Sequence, residues 1–145
     1  MIVVFRSGPG EDYRIWPNSK SLPVISVAPV RRPRLNETDT DYCFVSEKQG
    51  MEEKMRAVLR IAVANQHAEL CIGGFGLGYG FRNPAKQVAR MWRGLLFSEV
   101  EFKNAFDSIV FAMEDTSGRD TDEMTSLRIF EEEFDPSNIV KTTFR

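Results

Sequence analysis

Apolar positions in this chain fall into a few short runs and three periodic stretches. Ile2-Val3-Val4-Phe5 is β-branched and aromatic and predicts a buried strand. Gly8 to Asp12 reads as a turn and Tyr13 to Leu22 as irregular loop. Leu22 to Val27 predicts a second strand, with Pro29 and Pro33 ending it and a polar loop following over 31–41. From Gly50 the period changes. Met51, Met55, Val58, Leu59, Ala62 and Val63 recur at steps of three and four, which predicts a long amphipathic helix. Leu70-Cys71-Ile72 is a short strand, and Pro84 to about Phe97 a helix buried through Val88, Met91, Trp92, Leu95 and Leu96. Phe102 and Phe106 fall on a short helical or turn segment, and Ser108 to Met113 predicts another buried strand. Asp120 with Glu123 forms a capping-box pattern opening a last helix, with Leu127, Phe130 and Phe134 inward. The tail from Pro136 reads as frayed or strand-like. Strands alternating with amphipathic helices predict one α/β layered domain over 1–145, with a mixed, partly parallel sheet flanked by helices.

Composition narrows the partners more than the fold. The 145 residues are 42% hydrophobic and 28% charged, ordinary for a globular domain. The net charge of −2 gives no electrostatic case for direct nucleic-acid or membrane binding. The one basic cluster, Arg31-Arg32-Pro33-Arg34, is followed at once by the acidic 36–41 segment. Cys43 and Cys71 give no disulfide framework, and Cys71 reads as a buried strand residue. A reducing, intracellular compartment, cytoplasmic or nuclear, is the expectation. The opening MIVVFR has no basic leader, and no apolar run approaches the ~20 residues that span a bilayer.

The strongest candidate for chemistry is the stretch Glu69 to Pro84, ELCIGGFGLGYGFRNP. Five of the ten glycines lie here, at 73, 74, 76, 78 and 80. The pattern reads as strand, glycine loop and helix start, with Asn83 as N-cap and Pro84 at the first helical position. Glycine lets a ligand approach the backbone, and a helix N-terminus offers free N–H groups and partial positive charge. A phosphate or diphosphate cradle is favoured over a mere tight turn, since five glycines in eight residues exceed what a turn needs. No Gly-Lys-Ser/Thr follows, and no GxGxxG can be read at Gly74 or Gly76, so neither nucleotide fingerprint applies. Tyr79 and Phe81 suit either cover for a ribose or base or a plug in the core beneath.

The remaining candidates are weaker. His67, the one histidine, lies at the end of the long helix and reads as solvent-exposed. With two scattered cysteines it has no metal-ligand spacing, so neither metal nor cofactor is expected. The acidic runs over 114–123 and 131–133 lack a calcium-loop pattern and read as solvated surface. Arg31, Arg32 and Arg34 can meet phosphates, but loop arginines usually face water. No catalytic pair of carboxylates stands out.

Two longer stretches carry a family resemblance: MRAVLRIAVANQHAELCIGGFGLGYGFRNPAKQVARMWRGLLF, from Met55, and FDSIVFAMED, from Phe106. They are similar to the helix, strand, G-x-G-x-G-x-F-x-N-P-type loop, helix and VVFAI-type strand of the microbial-type poly(ADP-ribose) glycohydrolases, a branch of the macrodomain fold. The opening IVVFR and PVISVAP also resemble segments just before that block. The resemblance implies diphosphate contact with ADP-ribose at Gly74, Gly76, Leu77, Gly78, Tyr79 and Gly80, and ribose contact at Phe81. Leu77 stands where the family commonly has cysteine. The loop is one residue longer near Tyr79-Gly80, which leaves the ribose-facing aromatic between Tyr79 and Phe81.

The family's catalytic Gly-Gly-Gly run followed by Gln-Glu-Glu has no counterpart; the Glu131-Glu132-Glu133 triplet sits on the last helix. The resemblance is therefore to the family's C-terminal half. It implies a partial macrodomain-like domain that binds ADP-ribose or an ADP-ribosylated protein and is truncated or catalytically inactive, with no catalytic residue assigned. A homodimer or a partner chain would complete the sheet. The alternative is a non-enzymatic interaction or scaffold domain without nucleotide ligand.

Overall fold

The computed structural model describes residues 2–113 and 125–143. The order is β1 (Ile2–Arg6), β2 (Ile15–Leu22), α1 (Val45–Ala64), β3 (Glu69–Ile72), α2 (Ala85–Phe97), β4 (Ser108–Phe111), α3 (Ser126–Glu133) and α4 (Pro136–Thr143). The architecture is mixed α/β, with antiparallel and parallel pairing in two separate two-stranded sheets.

The core is built from the two periodic helices. Met51, Met55, Leu59 and Ala62 of α1 are fully buried, as are Val88 and Trp92 of α2, with Leu95 almost so. Val63, expected on the same stripe, is instead 43% exposed, because the packed face of α1 is narrower than its apolar pattern. The chain crosses through α2 from β3 to β4, which pair in parallel from Glu69↔Ser108 to Ile72↔Phe111. Phe111 then meets Trp92, Phe130 and Phe134 at ring-centroid distances of 6.1, 5.2 and 5.0 Å, which fixes α3 over α2 and β4. Arg56 holds the turn before β4 to α1 by pairing with Glu99, and Arg60 does the same through Glu101 at 2.6 Å. The Glu99 hydrogen bond pushes the Arg56 pKa upward, so the tie keeps its charge.

Several sequence expectations are corrected. Ile15–Leu22 is a strand, not a loop: it pairs antiparallel with β1, from Ile2↔Leu22 to Arg6↔Ile15, with an irregularity between Val4 and Arg6. Pro17 falls in that irregular stretch, where no ladder N–H is required of it. β1 is exposed rather than buried, with Ile2, Val3 and Phe5 at 50–54%. Beyond Leu22, the 23–27 segment runs without strand pairing. α1 begins at Val45, five residues before Gly50, and β4 stops at Phe111. The segment from Pro136 is helix. The expected capping pair Asp120 and Glu123 lies outside the described residues; α3 is capped by Thr125, whose hydroxyl accepts from the Arg128 N–H at 3.4 Å.

Candidate functional site

Alternation along the parallel pair sets the site. Leu70 and Ile72 turn toward the helices, while Glu69 and Cys71 are exposed, and on β4 Ser108 and Val110 are exposed likewise. Cys71 is thus not the buried residue its strand suggested. This exposed face of β3–β4, the 22–27 segment, Val58, His67 and Trp92 line an open cavity of about 830 Å³. His67 is half-buried on that wall rather than free in solvent. Gly73, Gly74 and Phe75 line the same cavity, so the glycine loop leaves the carboxyl end of β3 directly at its rim. Ligands of open α/β sheets bind at such strand ends.

The loop divides into a fixed half and a free half. Gly76 is buried, with φ +77°, and an added Cβ would stand 2.7 Å from Met51 Cε, 2.8 Å from Asn83 Nδ2 and 3.2 Å from Pro29 Cβ. Glycine is required there by both space and backbone angle. Asn83 is 5% exposed and holds this half. Its Nδ2 donates to Val30 O at 2.8 Å and to Gly76 O at 2.9 Å, while its Oδ1 accepts from the Tyr42 hydroxyl at 2.9 Å. The N-cap of α2 is Pro84, without a side-chain cap bond, so Asn83 serves as a long-range clasp rather than as the expected N-cap. Burial first, then Asp41 and Glu47, push the Tyr42 pKa far upward, which keeps its hydroxyl a donor.

On the free half, Gly78 and Gly80 have open space where a Cβ would point. Among the described residues, the N–H groups of Gly74, Gly76, Gly78, Tyr79 and Gly80 donate to no protein acceptor. The Leu77 N–H donates to Gly74 O at 3.1 Å and the Phe81 N–H to Gly78 O at 2.8 Å. The plug beneath the loop is neither Tyr79 nor Phe81. Phe75 fills that place, edge-on to Trp92 at 5.9 Å, with Leu77 packed on the core beside it. Tyr79 is 79% exposed. Its ring lies 5.9 Å from the Arg32 guanidinium and 5.1 Å from that of Arg82, and the Arg32 N–H donates to Phe81 O.

The loop residues 73–84 carry Arg82, two aromatics on the outer part and no carboxylate, while Glu69 lines the cavity beside them. Among the described residues no cluster of histidine, cysteine and carboxylate side chains could hold a metal ion.

Solved structures are similar to part of this chain. The chain is similar to poly(ADP-ribose) glycohydrolase from Deinococcus radiodurans in complex with ADP-ribose, at 32% identity over 61% of this chain and 33% of that one, with a TM-score of 0.52. The T267K mutant of that enzyme, also in complex with ADP-ribose, matches at the same values. The apo form matches at 27% identity over 69% of this chain and 36% of that one, again with a TM-score of 0.52. Over that part, the fold of this chain is similar to that of poly(ADP-ribose) glycohydrolase. The chain spans about a third of the length of these structures. No protein-family model and no curated protein matches it. Among the described residues no helix is long and apolar enough to cross a membrane.

Sequence reasoning found the glycines of the loop but missed three of its neighbours. Tyr42 and Val30 carried no local signal, because they reach Asn83 only through the fold. Arg82 was overlooked beside the more visible Arg31-Arg32-Pro33-Arg34 cluster, from which the structure brings Arg32 to the loop.

Proposed function

We propose that this chain binds ADP-ribose, free or attached to protein, with the diphosphate seated on the glycine loop. The observation that carries the reading is the set of backbone N–H groups at Gly74, Gly76, Gly78, Tyr79 and Gly80 that meet no protein acceptor, beside open space at Gly78 and Gly80. Backbone donors held in place by a clasped loop suit a diphosphate, whose oxygens accept several hydrogen bonds at once. The likeness to a glycohydrolase solved with ADP-ribose supports the same ligand. Within this assignment Phe81 or Tyr79 lies against the ribose, and Leu77 contributes the wall of the seat. We assign binding and not cleavage to these residues. Glycosidic hydrolysis needs a positioned acid and a base or nucleophile, and the sequence has neither Gly-Gly-Gly nor Gln-Glu-Glu.

A second part of the reading concerns the exposed sheet face. Parallel strands are ordinarily covered on both faces, yet Cys71 and Val110 are open; Ile2, Val3, Phe5 and Ile15 of the separate antiparallel pair, and Val24 just after it, are exposed as well. This favours completion of the sheet by a second copy or by another polypeptide segment.

Isothermal titration with ADP-ribose tests the ligand, with Gly78→Glu as the control. Gly78 has nothing within 4 Å of its Cβ direction, so the substitution leaves the fold intact while placing a negative charge in the seat. Saturable binding weakened at least ~10-fold by Gly78→Glu, equivalent to about 1.4 kcal/mol, is the expected result. Absence of heat from a folded sample overturns the reading and leaves the interaction-domain alternative.

A further inference from the structure

Beyond the diphosphate seat, the loop tip carries a cationic feature of its own. Arg32 and Arg82 both lie against the exposed ring of Tyr79, at 5.9 and 5.1 Å from its centroid. Among the described residues neither guanidinium has a carboxylate partner, although six other arginines and lysines do. Both residues adopt left-handed backbone angles, φ 49° for Arg32 and 56° for Arg82. Both are also anchored to the loop, by Arg32 N–H to Phe81 O at 2.6 Å and Arg82 N–H to Gly78 O at 3.0 Å. The fold thus brings two like charges, 50 residues apart in sequence, to one aromatic ring with no opposite charge among the described residues to relieve them. A guanidinium packed on a ring keeps its edge N–H groups free for a planar fork of hydrogen bonds.

We propose that Arg32, Tyr79 and Arg82 form a second phosphate subsite, adjoining the diphosphate seat, for ligands that carry a further phosphate. The inference rests on the ADP-ribose reading for its neighbour, with which it shares Tyr79, and on Arg32 and Arg82 for itself. An anion between the two guanidiniums removes their mutual repulsion and gains charge-assisted hydrogen bonds. The Tyr79 N–H and the adjoining Gly80 N–H belong to the same tip, so a ligand in the seat places its next phosphate within reach of the arginines. Two sources offer that chemistry: a phosphate monoester on the adenosine ribose, or the next diphosphate of an ADP-ribose oligomer.

The test is titration of the intact chain and of the Arg32→Ala/Arg82→Ala double variant with three probes: ADP-ribose, its 2′-phosphate derivative and a short ADP-ribose oligomer. The expected result is that at least one extended probe binds ~10-fold or more tighter than ADP-ribose to the intact chain. The double variant should lose that advantage, with ADP-ribose affinity changed less than about twofold. The advantage should also shrink between 50 and 300 mM salt, more steeply than ADP-ribose binding does. Which probe shows the gain identifies the source. Equal affinities for all three probes overturn the subsite, as does an equal loss for all three in the double variant, which would assign the arginines to the diphosphate itself. Extended probes binding without ADP-ribose binding would uphold the subsite and overturn the seat; no binding by any probe overturns both.

Discussion

Removing the Asn83 clasp is the most direct way to ask whether the loop is held by the fold or by its ligand. Asn83→Ala deletes three hydrogen bonds at a site only 5% exposed, those to Val30 O, Gly76 O and the Tyr42 hydroxyl. Each such bond contributes about 0.5–1.5 kcal/mol, and a buried partner left without one costs ~1–3 kcal/mol. Gly76 O keeps the backbone bond from the Asn83 N–H at 3.0 Å, so its loss is the smallest of the three. The expected destabilisation is roughly 2–4 kcal/mol. Tyr42→Phe removes one of the three and should cost about 1 kcal/mol. Urea unfolding followed by far-UV circular dichroism reads both, with the midpoint shifted and the slope unchanged. The double variant should cost less than the sum of the singles by ~1 kcal/mol, because the two residues share one bond. A cost below ~1 kcal/mol for Asn83→Ala, or a Tyr42→Phe cost equal to it, would refute the clasp as the element that fixes the loop.

Three further outcomes follow from the same geometry. Gly76→Ala should destabilise by roughly 2–4 kcal/mol, from its positive φ and contacts under 3 Å, whereas Gly78→Ala should stay within about 0.5 kcal/mol; paired thermal melts separate them. Tyr42 is an acid whose folded pKa is raised above the ordinary tyrosine value of about 10, so the folded state holds its proton longer than the unfolded chain does. Its contribution is therefore complete below pH 10 and falls above it, by at most ~1.4 kcal/mol per pH unit, and unfolding titrations of Tyr42→Phe should lack that alkaline loss. Replacing exposed Phe5 and Ile15 together by Lys should reduce self-association in light scattering without lowering the unfolding midpoint, since neither belongs to the buried cluster.

The parts of the fold that could be read from sequence are those whose pattern the core enforces. α2 shows its stripe plainly because Val88, Met91, Trp92 and Leu95 are all buried on one face. β2 was unreadable for the opposite reason. A strand announces itself by alternation only when one face is buried, and seven of the eight residues of Ile15–Leu22 are exposed. β1 and Cys71 misled because β-branched and apolar runs report a capacity for burial, whereas the described residues supply no layer over them. The start of α1 was hidden by Gly50, which reads as a helix boundary yet lies inside the helix, where an added Cβ would meet nothing closer than Val30 Cγ2 at 3.8 Å. At the site, the glycine cluster was legible. Asn83 was misassigned because an N-cap and a long-range clasp call for the same side-chain chemistry, and only the approach of Tyr42 and Val30 separates them.

That division of labour bears on the proposed binding by the loop. A cradle of backbone N–H groups is effective only when its donors already point at the ligand, since ordering them during binding subtracts from affinity. In this chain the ordering is done from behind: Asn83, Gly76 and Tyr42 fix the loop on its protein side, and Phe75 and Leu77 seat it on the core. The ligand side is left with open space and unpartnered donors. Stability and affinity are therefore linked through residues that never touch the ligand. Loosening the clasp should weaken ADP-ribose binding by no more than the free energy needed to re-form the loop, whereas Gly78→Glu should weaken binding at least ~10-fold and leave stability untouched. The two variants act on opposite faces of one loop, and the contrast between them separates a preorganised cradle from a turn that merely contains glycine.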